Sequence, residues 1–251
     1  MKVSDFYKEL DKLMPFNTVE DRDISGLLSG RMKAEVSGVL LCLDITHEVI
    51  NEAVKTGANL IISHHPFLFE GEEISDENPI YELNAKDISA ICCHSNMDKA
   101  EGIGDVLAGL LGFEKLGLLE IVEDGFGYGF FASLKEETTL FKLAEHVKKA
   151  IGCETVRTSK ENNPVKTVAI CGGGGGSMIS FATGNADVLI TGDIKHSQFI
   201  EAQNAGLCLI DAGHYMTEYP MMSILLDRLK ERFPEEKITL SLSESCPVVF
   251  R

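Results

Sequence analysis

The stretch Asn59-Leu-Ile-Ile-Ser-His-His-Pro66 joins a short apolar run to two adjacent histidines. Asn59 to Ile62 is predicted to be a strand that leads directly into the histidines. Successive side chains of an extended chain point to opposite faces, and Pro66 favours an extended backbone at His65. One ion could hardly take both imidazoles in that geometry, whereas two neighbouring ions could take one ring each. The tandem therefore predicts a site for two metal ions at the end of a strand.

Two later segments offer the further ligands that such a site needs. His94-Ser-Asn-Met-Asp98 follows the apolar run Ile88–Cys93, and His214-Tyr-Met-Thr-Glu218 follows Leu207–Ile210. Imidazoles with carboxylates favour Zn, Mn, Fe, Co or Ni over Ca or Mg. By formal count, two divalent ions, two carboxylates and a bridging hydroxide leave a charge of about +1, which suits an anionic substrate. A bridging hydroxide would also be a ready nucleophile at neutral pH.

Strand and helix patterns alternate along the chain and predict an α/β fold with two topologically similar halves. We place the halves at residues 1–123 and 124–251, joined through a hairpin over Glu120–Leu134, and expect the C-terminal segment to pack back on the first half. Mainly parallel sheets with right-handed crossovers follow from this alternation, and ligands of such sheets gather beyond the carboxyl ends of strands. The predicted strands are Val36–Leu43, Asn59–Ile62 and Ile88–Cys93 in the first half, and Val165–Cys171, Asp187–Thr191 and Leu207–Ile210 in the second.

The last motif raises a question about where its helix begins. His214 and Glu218 are four residues apart and could share a helix face, but Pro220 would then interrupt that helix. A helix with Thr217 as its N-cap places Pro220 in the first turn, where proline is tolerated. We therefore predict His214 on the loop after the strand and Glu218 at the start of the helix.

Other polar residues near the strand ends have two interpretations each. His94 is either a proton-transfer base or a hydrogen-bonded residue at a strand end. Asp44 either orients a ligand histidine or a substrate, or it caps the following helix. Asp193 and His196 follow the counterpart of the His64 strand in the second half, where they could face the same pocket as substrate-binding and proton-transfer groups.

The glycine run Gly172–Gly176 lies between a predicted strand and a helix. Its amides, including those of Gly173 and Gly174, could bind the phosphate of a substrate. The run lacks the Gly-Lys-Ser ending of a P-loop and the spacing of a dinucleotide-binding motif. The other interpretation, which we favour slightly, is a tight turn that permits close packing.

Composition limits the class of protein and its partners. The chain has 251 residues, a hydrophobic content of 44%, a charged content of 25% and a formal net charge of −16. This acidity argues against nucleic-acid or acidic-membrane partners, because phosphate contacts need clustered Lys and Arg. The seven cysteines include no Cys-x-x-Cys pair, which is typical of reduced, buried thiols. With no apolar run of signal-peptide or membrane-spanning length, we expect a cytoplasmic protein.

These motifs together resemble the Nif-three-like family, also called GTP cyclohydrolase 1 type 2 homologues, which includes the YbgI-like proteins. The His-His-Pro and Gly-His-x-x-x-Glu pieces in this order are highly specific, whereas the glycine run is not. One departure is Asp21-Arg-Asp23, where the family is expected to have a Trp-Asp-Asn-like stretch. The matching segments are Ile24–Gly30, Leu43–Thr46, Ile62–Pro66, His94–Asp98, Cys171–Gly174, Thr191–His196 and Asp211–Pro220.

The resemblance implies a dinuclear site between two interlocked α/β halves and a ring-shaped homohexamer. Two divalent metal ions would be held by His64, His65, Asp98, His214 and Glu218. The implied activity is that of a metal-dependent hydrolase, specifically a GTP cyclohydrolase that attacks C8 of guanine and releases formate. His94 or His196 would then move protons.

Two other functions would use the same ligands. A phosphoester or other nucleotide hydrolase needs no change of site, because the ligands define hydrolysis better than they define GTP. A non-catalytic scaffold that stores or delivers metal, or that regulates a partner, is the alternative from another class. Docking of a partner on the acidic segment Glu70–Glu77 is a weaker hypothesis, because charge runs are usually solvated.

Overall fold

A computed structural model describes residues 1–67, 78–100, 102–123 and 125–249. The acidic segment Glu70–Glu77, considered above for partner docking, therefore lies outside the described residues. The chain forms two compact units, the first comprising Met1–Ala100 with Met221–Pro247 and the second mainly Glu101–Pro220. This division differs from the predicted halves, because residues 101–123 belong to the second unit.

The described residues form helices and strands that alternate along much of the chain, and all six predicted strands are present. The first part of the chain contains α1 (Val3–Leu13), β1 (Gly26–Ser29), β2 (Val39–Cys42), α2 (His47–Thr56), β3 (Leu60–Ser63), α3 (Pro79–Ala85), β4 (Ser89–Cys92), α4 (Ser95–Lys99) and α5 (Ile103–Leu111). The second contains β5 (Lys115–Glu123), β6 (Phe126–Thr139), α6 (Leu140–Ile151), β7 (Arg157–Thr158), β8 (Pro164–Ile170), α7 (Ile179–Ala182), β9 (Val188–Thr191), α8 (His196–Asn204), β10 (Cys208–Asp211), α9 (His214–Arg232) and β11 (Ile238–Leu240).

The first unit contains a five-stranded sheet in the order β1-β4-β3-β2-β11. Its neighbours pair in parallel except for β1, which is antiparallel to β4. Every residue of β2, β3 and β4 is buried, as expected for the inner strands of a parallel sheet. The C-terminal strand β11 joins this sheet beside β2, with Ile238 paired to Val39.

The second unit contains a six-stranded sheet in the order β5-β6-β8-β9-β10-β7. Strands β8, β9 and β10 are parallel, whereas β7 is antiparallel to β10 and β6 is antiparallel to β8. The predicted hairpin is present as β5 and β6 and is longer than the sequence indicated. The chain is therefore a mixed α/β protein whose central strands are parallel.

The predicted repeat of topology extends to four strands in each unit. The order α1-β1-β2-α2-β3-α3-β4-α4 has its counterpart in α6-β7-β8-α7-β9-α8-β10-α9. The sheet orders β1-β4-β3-β2 and β7-β10-β9-β8 correspond strand by strand. The antiparallel strands β1 and β7 were not predicted, because both are short and lie in segments without an apolar period.

The predicted helix start at Thr217, with His214 on the preceding loop, was wrong. Helix α9 begins at His214 and contains Pro220. The Thr217 amide donates to the Gly213 carbonyl, and the Thr217 hydroxyl donates to the carbonyls of Gly213 and His214. These bonds form the first helical turn before Pro220, whose missing amide removes one later bond only. His214 and Glu218 therefore share one face of a helix after all.

The burial of the cysteines agrees with the expectation of reduced, buried thiols. Six of the seven cysteines are buried and Cys246 is partly exposed, and all seven are free thiols. Within the described ranges, no helix combines the length and apolar character required to cross a lipid bilayer.

Candidate metal centre

The tandem histidines continue the pairing of β3 with the chain that follows β2. The amides of His64 and His65 donate to the carbonyls of Cys42 and Leu43, so the backbone stays extended beyond the strand. The two ring centroids lie 4.7 Å apart. His64 is completely buried and the His65 side chain is 16% exposed.

Both rings are oriented through their Nδ1 atoms. His64 Nδ1 lies 2.9 Å from the Cys93 carbonyl oxygen, and His65 Nδ1 lies 2.8 Å from Asp44 Oδ1. A carbonyl and a carboxylate can only accept, so each Nδ1 donates its proton and each Nε2 presents a lone pair. This is the arrangement that metal-binding histidines adopt in proteins.

His94 belongs to the same group. Its Nδ1 lies 2.9 Å from Asp23 Oδ1, which fixes its tautomer in the same way. One ring nitrogen from each of His64, His65 and His94 lies within 4.8 Å of the other two. Three imidazoles that converge in this manner are able to hold a divalent ion, so the structure does not support the expectation that one ion could hardly take both His64 and His65.

Asp23 is held in its ionised form. Its carboxylate accepts hydrogen bonds from the Ser95 amide and hydroxyl and from the Ser25 hydroxyl, in addition to His94. Burial alone would raise the pKa of Asp23, but the hydrogen bonds from His94 and Ser95 outweigh it and hold this pKa well below its usual range.

Asp98 lies one helical turn after His94, on α4. Its Oδ1 atom is 3.7 Å from His64 Nε2, which is too long for a hydrogen bond. Two ligands of one ion with ordinary bond lengths lie roughly 3 to 3.5 Å apart, so this separation is close to that of a shared ion. The first unit therefore combines three imidazoles and one carboxylate.

The second unit carries a further histidine and carboxylate at the equivalent place, in the first turn of α9. His214 Nδ1 lies 2.8 Å from Asp193 Oδ2, and His214 Nε2 lies 3.0 Å from Glu218 Oε2. With the proton of the neutral ring on Nδ1, a lone pair of Nε2 faces a carboxylate. A cation or a second ring proton favours such an arrangement.

The glycine run packs against this pair. Gly173 has φ +63°, and a Cβ atom there would overlap the Glu218 carboxylate. The amides of Gly173 and Gly175 donate to the hydroxyls of Thr217 and Thr191, both at 2.9 Å. The turn thus permits close packing, as the second interpretation of the run predicted.

Two carboxylates that the sequence did not reveal, one in each unit, hold loops that carry candidate ligands; Asp211 is buried and Glu244 is partly buried. Asp211 accepts hydrogen bonds from the amides of Ile194 and Gly213, which adjoin Asp193 and His214. It also forms an ion pair with Arg157.

In the first unit, the second such carboxylate is Glu244, which accepts from the amides of Leu43 and Asp44 at 2.9 and 2.7 Å. Burial raises the pKa of Glu244, and the nearby charge of Asp44 adds to this effect.

The remaining predicted residues take different places. Asp44 and Asp193 each orient a histidine, and Thr46 caps α2 in place of Asp44. His196 is exposed at the start of α8. A substrate-binding role for Asp44, Asp193, Gly173 and Gly174 stays a prediction, as does the union of both units' ligands in one site.

A family model for Duf34/NIF3 (NGG1p interacting factor 3) matches residues 1–247. The chain belongs to the Duf34/NIF3 family. Two curated relatives are each named GTP cyclohydrolase 1 type 2 homolog. The protein from Campylobacter jejuni is 34% identical over 96% of this chain and 97% of its own, and that from Clostridium perfringens is 30% identical over 94% of each.

A solved structure supports the same assignment to the Duf34/NIF3 family. The Staphylococcus aureus hypothetical protein SA1388 is 30% identical and has a TM-score of 0.89, covering 100% of this chain and 99% of that one. The predicted resemblance is thereby confirmed along nearly the whole chain.

The sequence motifs identified side chains that can bind metal, and one interpretation of Asp44 was that it orients a ligand histidine, but no such role was predicted for Asp23. Asp23 lies in the segment that departs from the expected family pattern. Its position two residues before Ser25, which also contacts His94, gave no periodic signal. Within this Duf34/NIF3 chain, only the fold shows that Asp23 and His94 are partners.

Proposed function

We propose that the protein is a metal-dependent hydrolase, related in activity to GTP cyclohydrolase, that acts on a small anionic nucleotide. In this proposal five residues hold two divalent ions, namely His64, His65, Asp98, His214 and Glu218. The observation that carries the proposal is the common orientation of four histidines, the fourth being His94, each with Nδ1 bonded to a carbonyl or a carboxylate.

The donor set fits Zn, Fe, Mn, Co or Ni. Imidazole nitrogens with carboxylate oxygens are the ligands of these ions, and an acceptor on each Nδ1 fixes the ring and raises its basicity. Each unit supplies a partial set: His64, His65 and Asp98 in the first, and His214 and Glu218 in the second. Divalent ions bound by these residues would supply Lewis acidity and activation of water.

The protein's own groups complete the proposed reaction. Asp44 and Asp193 keep the Nδ1 protons of His65 and His214 in place, so that both Nε2 atoms stay available as ligands. His94 and His196 are the two candidates for proton transfer. A net charge of −16 disfavours a polyanionic partner, which agrees with a substrate small enough to bind within a locally positive site.

Turnover by the metal-reconstituted protein tests this function. The protein is loaded separately with Zn²⁺, Mn²⁺, Fe²⁺, Co²⁺ and Ni²⁺ and incubated with a panel of purine and pyrimidine nucleotides. We expect formate release from GTP, and we expect Asp98→Ala to abolish it. His47→Ala is the matched control, because His47 is an exposed histidine of the same unit that also bonds a carboxylate, Glu82.

Each result decides between the candidate functions. Phosphate release without formate indicates a phosphoester hydrolase in place of a cyclohydrolase. Tight metal retention with no turnover of any nucleotide contradicts the proposal and supports the metal-binding scaffold.

A further inference from the structure

Asp23 and His94 form a hydrogen-bonded pair in the first unit that the five proposed ligands do not include. The distance from His94 Nδ1 to Asp23 Oδ1 is 2.9 Å, and the two side chains are 28% and 9% exposed. The aspartate is therefore largely shielded from water, whereas the imidazole keeps an accessible edge.

The surrounding hydroxyls fix both the ring and the backbone of His94. Ser25 Oγ donates to Asp23 Oδ2 at 3.0 Å and accepts from the His94 amide at 3.1 Å. Ser95 donates to the same carboxylate oxygen through its amide at 3.0 Å. The imidazole consequently has little freedom to rotate or to exchange its partner.

This arrangement determines which nitrogen of His94 can react. Because Nδ1 donates its proton to Asp23, the lone pair of the neutral ring is on Nε2. The His94 ring centroid lies 5.3 Å from that of His64 and 5.7 Å from that of His65. The His94 ring is therefore next to two proposed metal ligands.

We infer that Asp23 is a positioning residue that keeps a proton on His94 Nδ1 and thereby makes His94 Nε2 the proton-transfer atom of the site. During attack, the water O–H bond breaks as the O–C bond to the substrate forms, and the proton moves to Nε2. The resulting imidazolium then donates that proton to the leaving nitrogen or oxygen, which returns His94 to its neutral form. This inference rests on the proposed function and selects His94 over His196.

Asp23→Asn in the full, Zn²⁺-loaded chain tests the inference. The amide offers an NH₂ group where the carboxylate accepts, so it no longer enforces the Nδ1–H tautomer. We expect bound zinc per chain and KM to stay unchanged while kcat falls by about 100-fold or more, the usual contribution of a positioned acid–base group. Asp23→Glu, which restores a carboxylate, should recover part of the lost kcat.

Nitrogen NMR of ¹⁵N-histidine-labelled protein gives a readout that does not need turnover. The wild-type spectrum should show His94 protonated at Nδ1, and the Asp23→Asn spectrum should show a shift towards protonation at Nε2. Asp187→Asn is the matched control, since Asp187 also accepts from two amides and a hydroxyl, of Lys166 and Thr167, but orients no histidine. Asp187→Asn should lower the free energy of unfolding but leave kcat, bound zinc and the His94 tautomer unchanged.

Three results would overturn the inference. These are an unchanged tautomer in Asp23→Asn, an unchanged kcat, and a loss of bound zinc that equals the loss in Asp98→Ala. If the wild-type protein turns over no nucleotide, the proposed function fails by itself. The tautomer of His94 then still decides whether Asp23 positions this ring.

Discussion

Gly173 shows how strictly a single backbone position is constrained beside the candidate ligands. Its φ of +63° is in the left-handed region, and the space that a Cβ would need is taken by the Glu218 carboxylate. Gly184 has a similar φ of +77°, but nothing lies within 4 Å of its missing Cβ. The two glycines therefore separate the conformational effect of a side chain from the steric one.

We expect Gly184→Ala to destabilise the protein by about 1 kcal/mol, the ordinary cost of a left-handed non-glycine residue. Gly173→Ala should destabilise it more and also weaken metal binding, because Glu218 must move. Urea unfolding and metal titration of both variants measure these effects. Equal results for the two variants would show that Glu218 does not depend on Gly173.

The candidate metal ligands could be predicted where the residue types and their spacing alone indicate metal binding. Adjacent histidines before a proline, and a histidine four residues before an acid, are visible without any fold. Asp23 was not predictable, because it contacts His94 across 71 positions of sequence. Asp211 was also hidden, since its role depends on two loop amides that only the fold brings to it.

Helix α9 shows the limit of sequence rules at the level of elements. The rule that proline interrupts a helix predicts a start at Thr217, yet the bonds made by Thr217 secure the first turn ahead of Pro220. By contrast, the buried residues of α6 keep a regular helical period along one face, a pattern that the sequence shows directly. Local patterns succeed where burial follows one face and fail where a few polar bonds decide.

The segment after β11 is also held by the carboxylate of Glu52, a residue of α2. Glu52 accepts from the Ser241 hydroxyl at 2.6 Å and from the amides of Leu242 and Ser243 at 3.0 and 2.9 Å. Burial alone would raise the pKa of Glu52, but these bonds outweigh it and lower the pKa below the ordinary 4.5. The folded state is thus the state that binds the Glu52 proton less tightly.

The resulting stabilisation is present above about pH 4.5 and is lost as the pH falls through the lowered pKa of the folded state. We expect Glu52→Gln to cost about 1–3 kcal/mol at pH 7 and less at pH 3, since charged hydrogen bonds have roughly this value. Urea unfolding at both pH values measures the difference. Glu145→Gln, at an exposed position of α6, should leave the free energy of unfolding unchanged at both pH values.

For the whole molecule, the repeated topology explains why side chains that could bind metal recur at equivalent places. His94 with Asp98 follows the third parallel strand of one unit, and His214 with Glu218 follows the third parallel strand of the other. The members of each pair are four residues apart, His94 directly before α4 and His214 at the start of α9. The ring-shaped homohexamer implied by family resemblance stays a prediction, which light scattering of the purified protein would test.

Metal binding should stabilise the folded chain as a whole. A ligand present at 100 times its Kd contributes about 2.7 kcal/mol, which corresponds to roughly 5–10 °C in Tm for a chain of this size. We expect Zn²⁺ or Mn²⁺ to raise Tm by this amount and EDTA to reverse the effect. His64→Ala should abolish the increase and His47→Ala should keep it, and an increase that survives His64→Ala would place the ions elsewhere.

Glu244 has a practical consequence for anyone who shortens this protein. Its carboxylate holds the amide of Asp44 across 200 positions of sequence, and Asp44 holds His65. Trimming the irregular tail after β11, a common step to improve crystals, would delete this anchor. A shortened protein that folds normally but fails to retain metal would then be an artefact of cloning and would say nothing about the biology of the natural chain.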